Sequence, residues 1–398
     1  MYRLYCRAFQ GIMKLANYCL PYGKPTELTG AGAAEKIADV LREKHVTTVL
    51  VVTGKHITAQ GLNRPMLDSL ERADIRPVLF TEMSGNPTDV DVEHGFALYR
   101  KENCQAIIAF GGGTPMDCAK AIGAKVVRPH KSVAQLQGLL KVRRHIPLFF
   151  AVPTTAGTGS ETTIAAVITD TATHRKASIN DPMLMPKYAV LDPTLTVALP
   201  PEITATTGMD ALCHAVEAYT NHTYCTKLEN DLAQRAVKLI YENLLNAYRD
   251  GTDLTARQNM LQGSFYAGRA FTRGCVGYVH AVGHTLGGLY GLPHGMAMSI
   301  LLPHVLRRYG SAVTQRLSEL ADVCGMSGAT AEEKAENFIR WIEEARCQMH
   351  IPEKVDGIRE EDIPQMVAWA TREANPLYPV PVIWSKADFA DFIRSVRA

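Results

Sequence analysis

The chain of 398 residues is long enough for two domains of ordinary size. Hydrophobic residues make up 46% and charged residues 21%, a globular balance, and a formal net charge of only +2 argues against bulk attraction to nucleic acid. Nine cysteines are scattered singly with no C-x-x-C pair, which points to a reducing cytoplasm, and no apolar run has the length of a membrane span.

The first segment, MYRLYCRAFQGIMKLANYCLP, interleaves aromatic and aliphatic residues with Arg3, Arg7 and Lys14. The pattern fits a basic amphipathic helix on a membrane surface. It also fits a helical extension packed on the protein body or on a partner subunit, and this second reading is preferred. Its polar residues are too frequent for a secretory signal.

From about residue 30 to 195, short apolar runs alternate with helical stretches. VTTVLVVTG (46–54), RPVLFT (76–81), QAIIAFGGG (105–113), IPLFFAVPT (146–154) and YAVLDP (188–193) read as strands. Residues 33–44, 57–73, 89–102 and 115–127 read as helices between them. Near-continuous apolar strands separated by helices predict a Rossmann-like parallel sheet covered on both faces. Beyond LTVALPPEITATTG (195–208) strand-like runs become few. LENDLAQRAVKLIYENLLNAY (228–248) has apolar residues at helical spacing, and most of the remainder resembles it. The expected division is an α/β domain over 1–199, counting 1–22 as a helical extension, and an all-helical domain over 200–398. Pro200–Pro201 marks the boundary.

AFGGGTPMDCAK (109–120) is a strand, three glycines and a helix start. Gly111, Gly112 and Gly113 lack Cβ atoms, so a phosphate can approach the backbone. Thr114 suits an N-cap, Pro115 a first helical position, and Asp117 a capping box. The stretch reads equally as an anion site and as a structural turn. VPTTAGTGSET (152–162) adds a second glycine-rich loop carrying Thr154, Thr155, Thr158 and Ser160. Two such loops after apolar strands favour a nucleotide over hydroxyls that merely cap loops. Lys176 reads as a partner for phosphate or ribose, or as a solvated surface residue.

GMDALCHAVEAY (208–219) places Asp210 and His214 four apart on one helix face. GYVHAVGHTLGGLYGLPHG (277–295) gives His280 and His284 the same spacing, with His294 at a helix start. One carboxylate and several imidazoles suit a divalent metal. Spacing alone leaves open which three or four of the five bind.

Taken in order, GGGTPMDCAK, PTTAGTGSE, GMDALCHAVEAY and GYVHAVGHTLGGLYGLPHG resemble the iron-containing (group III) alcohol dehydrogenase family, from about residue 20 to the end. The resemblance implies a dehydroquinate synthase-like fold: a nucleotide-binding α/β domain, a helical metal-binding domain and a cleft between them. It implies Asp210, His214, His280 and His294 as ligands, with His284 beside the metal without binding it; sharing a helix face with His280, His284 is then expected to relay the proton, or else only to orient a ligand. It places pyrophosphate at Gly112, Gly113 and Thr114, and the nicotinamide end near Thr154, Thr155 and Thr158. Lys176 would meet the cofactor ribose and Asn86, in GNPT, the adenosine part. Fe²⁺ is expected from the resemblance alone, since affinity order favours Zn²⁺.

Family members that bind NAD commonly carry an acidic residue after the strand ending here at Thr53. This chain has Gly54, Lys55 and His56 there. NADP(H) is therefore expected to be preferred over NAD(H), against the plainer reading that Gly54 only makes a tight turn. Two departures stand out: the first twenty residues are an addition to shorter members, and ANPLYPVPVIW (374–384) replaces the NPR ending of many.

The expected function is hydride transfer between nicotinamide and a small alcohol or aldehyde, in a cytoplasmic homo-oligomer, a dimer. A lyase of the dehydroquinate synthase type and an inert nucleotide-binding protein are the alternatives. The lyase needs a cluster of basic residues for a phosphorylated substrate, and none is identified near the histidines.

Overall fold

A computed structural model describes residues 1–83, 85–172, 176–221 and 223–398. After α1 (Tyr2–Tyr18) come β1 (Thr26–Thr29), α2 (Ile37–Glu43), β2 (Thr48–Thr53), α3 (Lys55–Ala59), α4 (Arg64–Arg72), β3 (Arg76–Phe80) and α5 (Asp89–Lys101). β4 (Ala106–Gly111), α6 (Gly113–Val127), α7 (Val133–Leu136), β5 (Gly138–Leu139), β6 (Leu148–Pro153), β7 (Ala165–Thr169), β8 (Lys176–Asn180) and β9 (Tyr188–Leu191) follow. The remainder is helical: α8 (Pro201–Asn221), α9 (Lys227–Arg249), α10 (Leu254–Gly274), α11 (Tyr278–Tyr290), α12 (His294–Tyr309), α13 (Thr314–Val323), α14 (Ala331–Gln348), α15 (Ile363–Ala374) and α16 (Lys386–Ser395).

Chain contacts divide these elements into two units, Pro21–Ala198 and Met1–Leu20 with Leu199–Ala398. In the first, β1-β9-β6-β4-β2-β3 form a six-stranded sheet in which neighbouring strands are parallel. Side chains alternate between its faces. Leu50, Val52, Ile107, Ala109 and Phe149 pack with α5 and α6 on one side. Val49, Val51, Ile108, Phe110 and Phe150 pack with α2 and α4 on the other. Chain order reverses between β2 and β4, so the loops after these two strands open at the switch point where ligands bind in such sheets.

The five expected strands all form. β1 is an addition at the sheet edge, and a small sheet β5-β8-β7 is another. Both lack the continuous apolar runs of the inner strands, because they are half exposed. The helix expected over 57–73 divides into α3 and α4 at Gly61, whose φ of +69° halts the first helix.

The helical unit has no strand among its described residues, only an isolated bridge between Val355 and Arg397. No helix among the described residues is long and apolar enough to cross a membrane.

Chain contacts group α1 with the helical unit and not with Pro21–Ala198, where the expected division had counted it. The helix also turns the side opposite to the one its apolar residues suggest. Leu4, Tyr5, Ile12, Leu15 and Tyr18 are exposed, while Cys6, Gln10 and Asn17 are buried. The reason is hydrogen bonding. Gln10 donates to the carbonyls of Pro376 and Tyr378, Arg7 to those of Val380 and Pro381, and Asn17 to that of Arg273.

Candidate active site

Three helices of the helical unit bring four predicted residues together. α8 carries Asp210 and His214, α11 carries His280, and His294 opens α12 after Pro293. Gly295 makes the last approach feasible. A Cβ there would stand 2.5 Å from the backbone oxygen of Thr206, so a larger residue would push α12 off α8. Around the single oxygen Asp210 Oδ1 lie His294 Nε2 at 3.3 Å, His280 Nε2 at 3.8 Å and His214 Nε2 at 4.0 Å.

Asp210, His280 and His294 offer one ligand atom each within 4.8 Å of one another. His214 stands at the edge of this group, its ring stacked between Phe271 at 4.2 Å and His280 at 4.6 Å. Asp210 Oδ1 and His280 Nε2 are buried without a hydrogen-bond partner. Each such atom costs about 1–3 kcal/mol when left unsatisfied, and a shared cation removes both costs. The donor set therefore fits a divalent metal.

The electrostatics agree. Burial pushes the His214 imidazole down to about 3 and that of His280 well below its ordinary value. Both are thus held neutral, the form that binds a cation. Burial alone would raise Asp210, but His214, His294 and His280 outweigh it and hold the carboxyl below the usual range. An ionised Asp210 and neutral His214 and His280 remain.

Glu217, which the sequence reading passed over, lies on the far side of His280. Its Oε2 receives His280 Nδ1 at 2.6 Å and its Oε1 the N–H of Val279 at 2.8 Å. A Cβ on Gly277 would come within 2.8 Å of Oε1. Cys213, Glu217 and His280 also form a compact buried group. Burial raises the Cys213 thiol well above its ordinary value, and a protonated thiol is a poor ligand. Glu217 is instead an orienting carboxylate for His280. A signal was present, since Asp210, His214 and Glu217 stand at i, i+4 and i+7 along one helix face.

His284 keeps 43% of its side chain exposed. Its ring stacks on His294 at 5.3 Å and meets His280 edge-on at 5.8 Å. Its Nδ1 donates to Glu373 Oε1 at 2.7 Å, and that oxygen also accepts from Tyr378 OH at 3.1 Å. Glu373 carried no sequence signal, because it is distant along the chain and lies at the end of α15.

In the α/β unit, Gly111 and Pro153 are register partners at the ends of β4 and β6. This sets the glycine and threonine loops side by side. A Cβ on Gly112 would contact Thr155 Oγ1 at 3.4 Å, and one on Gly113 would press on Thr158 Cγ2 at 3.2 Å. Thr154 is buried and donates its N–H to Gly111 O. α6 begins at Gly113 with Gly112 as N-cap and no side-chain cap, leaving its first N–H groups for an anion.

The expected Thr114–Asp117 capping box does not form. Asp117 instead accepts from Ser160 Oγ and Val167 N–H, tying α6 to the threonine loop and β7. Lys120 reinforces this tie. It is fully buried and donates to Ser160 and Thr163 through both carbonyl and hydroxyl oxygens.

Asn86 is exposed between β3 and α5, and Lys176 is exposed at the start of β8. Thr169 links them: its N–H donates to Pro87 O, and it pairs with Lys176 across the β7–β8 ladder. Gly54 has φ −83° and ψ 148°, an ordinary extended conformation, so no tight turn demands glycine there. A Cβ would meet only Ile57 Cδ1, at 4.0 Å.

Two family models match the chain: iron-containing alcohol dehydrogenase over residues 25–193, and the C-terminal part of the Fe-containing alcohol dehydrogenase family over 204–396. α1 precedes both. The chain is similar to the NAD-dependent methanol dehydrogenase of Bacillus methanolicus, 35% identical over 353 residues, spanning 88% of this chain and 91% of that protein. It is similar to the 1,3-propanediol dehydrogenase of Klebsiella pneumoniae, 38% identical over 333 residues, 82% of this chain and 85% of that one. A crystal structure of 1,3-propanediol oxidoreductase superposes with a TM-score of 0.90 at 34% identity, covering 95% of this chain and 99% of that one.

Proposed function

This chain belongs to the iron-containing alcohol dehydrogenase family and is a nicotinamide-linked alcohol dehydrogenase, and on that premise we propose which of its residues carry the reaction. Asp210, His214, His280 and His294 hold one divalent ion, Fe²⁺ in keeping with the family, although Zn²⁺ accepts the same donors. The observation that carries this is the convergence of His294, His280 and His214 Nε2 on Asp210 Oδ1 at 3.3, 3.8 and 4.0 Å, with Asp210 Oδ1 and His280 Nε2 buried. A metal bound there supplies Lewis acidity toward the oxygen of a small alcohol or aldehyde, while the nicotinamide accepts or donates the hydride.

The protein's part is to place the reactants and handle the proton. With Nδ1–H held by Glu373, His284 presents a bare Nε2 that takes the hydroxyl proton in oxidation and returns it in reduction. The open N-terminus of α6, with Gly112, Gly113 and Thr114, receives the cofactor pyrophosphate. Thr154, Thr155 and Thr158 line the nicotinamide end, Lys176 meets the ribose, and Asn86 the adenosine part.

NADP(H) is preferred over NAD(H) in this reading. Residues 54–56 carry no carboxylate to repel a 2′-phosphate, and Gly54 leaves space beside the exposed Lys55. The relative from Bacillus methanolicus is named NAD-dependent, so NAD(H) is kept as the slower cofactor. The lyase and inert-binder alternatives are not favoured beside relatives named as dehydrogenases. The nine cysteines are unpaired, in keeping with a reducing cytoplasm. A homodimer completes the proposal and is checked by light scattering.

The decisive experiment joins elemental analysis to a panel of short aldehydes and diols, followed by NAD(P)H absorbance. One ion per chain and repeated turnover support the reading, and Asp210→Ala and His280→Ala lose both. Full metal occupancy in those two variants overturns the ligand assignment.

A further inference from the structure

The stretch 375–384 between α15 and α16 has no regular secondary structure, so its backbone carbonyls depend on partners from elsewhere. Side chains of α1 serve four of them. Arg7 Nη1 donates to Val380 O at 2.8 Å and Nη2 to Pro381 O at 2.7 Å. Gln10 Nε2 donates to Pro376 O at 3.1 Å and Tyr378 O at 2.8 Å. Arg7 Nη1 also donates to Gln10 Oε1 at 2.9 Å, so the two side chains act as one clamp. Tyr224 OH donates to a fifth carbonyl, Leu377 O, at 2.9 Å.

This clamp explains why a helix with so many apolar residues turns its polar side inward. Gln10 is only 1% exposed, and moving it would strand both its amide and the carbonyls it serves. The clamped stretch in turn reaches the active site. Its Tyr378 donates to the same oxygen of Glu373 that receives His284 Nδ1. Two donors converging on one oxygen fix the carboxylate, and the fixed carboxylate fixes the imidazole. Without that partner, a half-exposed histidine has several rotamers open to it.

We propose that α1 is a positioning element of the active site: Gln10 and Arg7 set the backbone of 376–381, which holds Tyr378 on Glu373 and thereby orients the His284 ring. Both departures from the shorter family members thus serve one purpose, since the added helix shapes the altered C-terminal stretch. The proposal rests on the reading of His284 as the residue that handles the proton.

Arg7→Met/Gln10→Met keeps side-chain bulk and removes the donors. Metal content, kcat, KM for the nicotinamide cofactor and the carbethoxylation rate of His284, mapped by peptide mass in metal-free protein, are compared with wild type. The expected result is a kcat lower by about tenfold to a hundredfold, the scale of a misplaced catalytic group. Metal content and cofactor KM stay unchanged, and His284 is modified faster. Adding Tyr378→Phe causes no further loss, because both changes break one chain of contacts.

If the double variant fails to fold, Gln10→Met alone removes two of the four bonds and gives the same comparison. Wild-type kcat with a wild-type carbethoxylation rate overturns the proposal, and so do losses that simply add. Full turnover in His284→Ala overturns the reading of His284, whereas an unchanged carbethoxylation rate overturns the positioning role and leaves that reading intact.

Discussion

Glu217 Oε2 receives the Nδ1–H of His280 at 2.6 Å while its other oxygen caps the N–H of Val279, so one buried carboxylate fixes both a ring and the helix that carries it. Burial raises the Glu217 carboxyl to about 7, and in its ionised form it takes the Nδ1 proton and leaves Nε2 unprotonated and aimed at Asp210. A ligand's tautomer is thereby set before any ion arrives.

Replacing Glu217 with Gln tests this. The amide has a single acceptor oxygen, so it cannot serve His280 and Val279 together. Metal affinity should fall by about tenfold to a hundredfold, the usual cost of losing such a partner. Metal titration of the stripped protein measures it. Wild-type affinity in Glu217→Gln would show that the carboxylate only caps the helix.

His284→Ala should behave differently from a ligand variant. It should keep its ion, because Asp210, His280 and His294 remain grouped. Turnover should fall by about 10²–10⁴-fold, the usual contribution of a positioned acid or base. Metal analysis alongside steady-state kinetics separates the cases. Loss of the ion would move His284 into the ligand set.

Gly54→Asp probes cofactor choice. The backbone accepts a side chain without strain, so a changed preference reflects charge and not damage. The ratio of kcat/KM for NADPH to that for NADH should drop by about tenfold or more, matching a contact worth about 1–3 kcal/mol. A wild-type enzyme that favours NADH, or a ratio unmoved in the variant, would mean that this loop does not read the 2′-phosphate.

Glu161, in the threonine loop, gives a pH signature. Burial pushes its carboxyl from 4.5 up to about 7. A folded value above the unfolded one means that stability is fully present below 4.5 and is lost as pH rises through about 7. The stability of wild type relative to Glu161→Gln should therefore fall by about 3 kcal/mol across that window, at about 1.4 kcal/mol per unit. Denaturant melts of both proteins at the two ends of the window check it. A constant difference would show that Glu161 stays ionised throughout.

Much of this protein was legible in order along its chain. β2, β4 and β6 announce themselves as apolar runs because both faces of the inner sheet are buried, and the following glycine and threonine loops need no long-range information. The ligand candidates were visible too, since four-residue spacing on a helix is a local fact. Asp210 with His214, and His280 with His284, follow from it. What decided between neighbours was tertiary. His280 turns to Asp210 and Glu217, whereas His284, one turn later, turns to Glu373. No spacing rule contains that distinction, because it depends on where α8 and α15 pack against α11.

The N-terminal helix is the clearest case. Its apolar residues at helical spacing suggest a side to bury, and the structure buries Gln10 instead, because carbonyls far along the chain would otherwise lack donors. Hydrophobic pattern is written in sequence, one residue at a time. The demand of an irregular, half-buried backbone for hydrogen-bond partners exists only once distant segments have met.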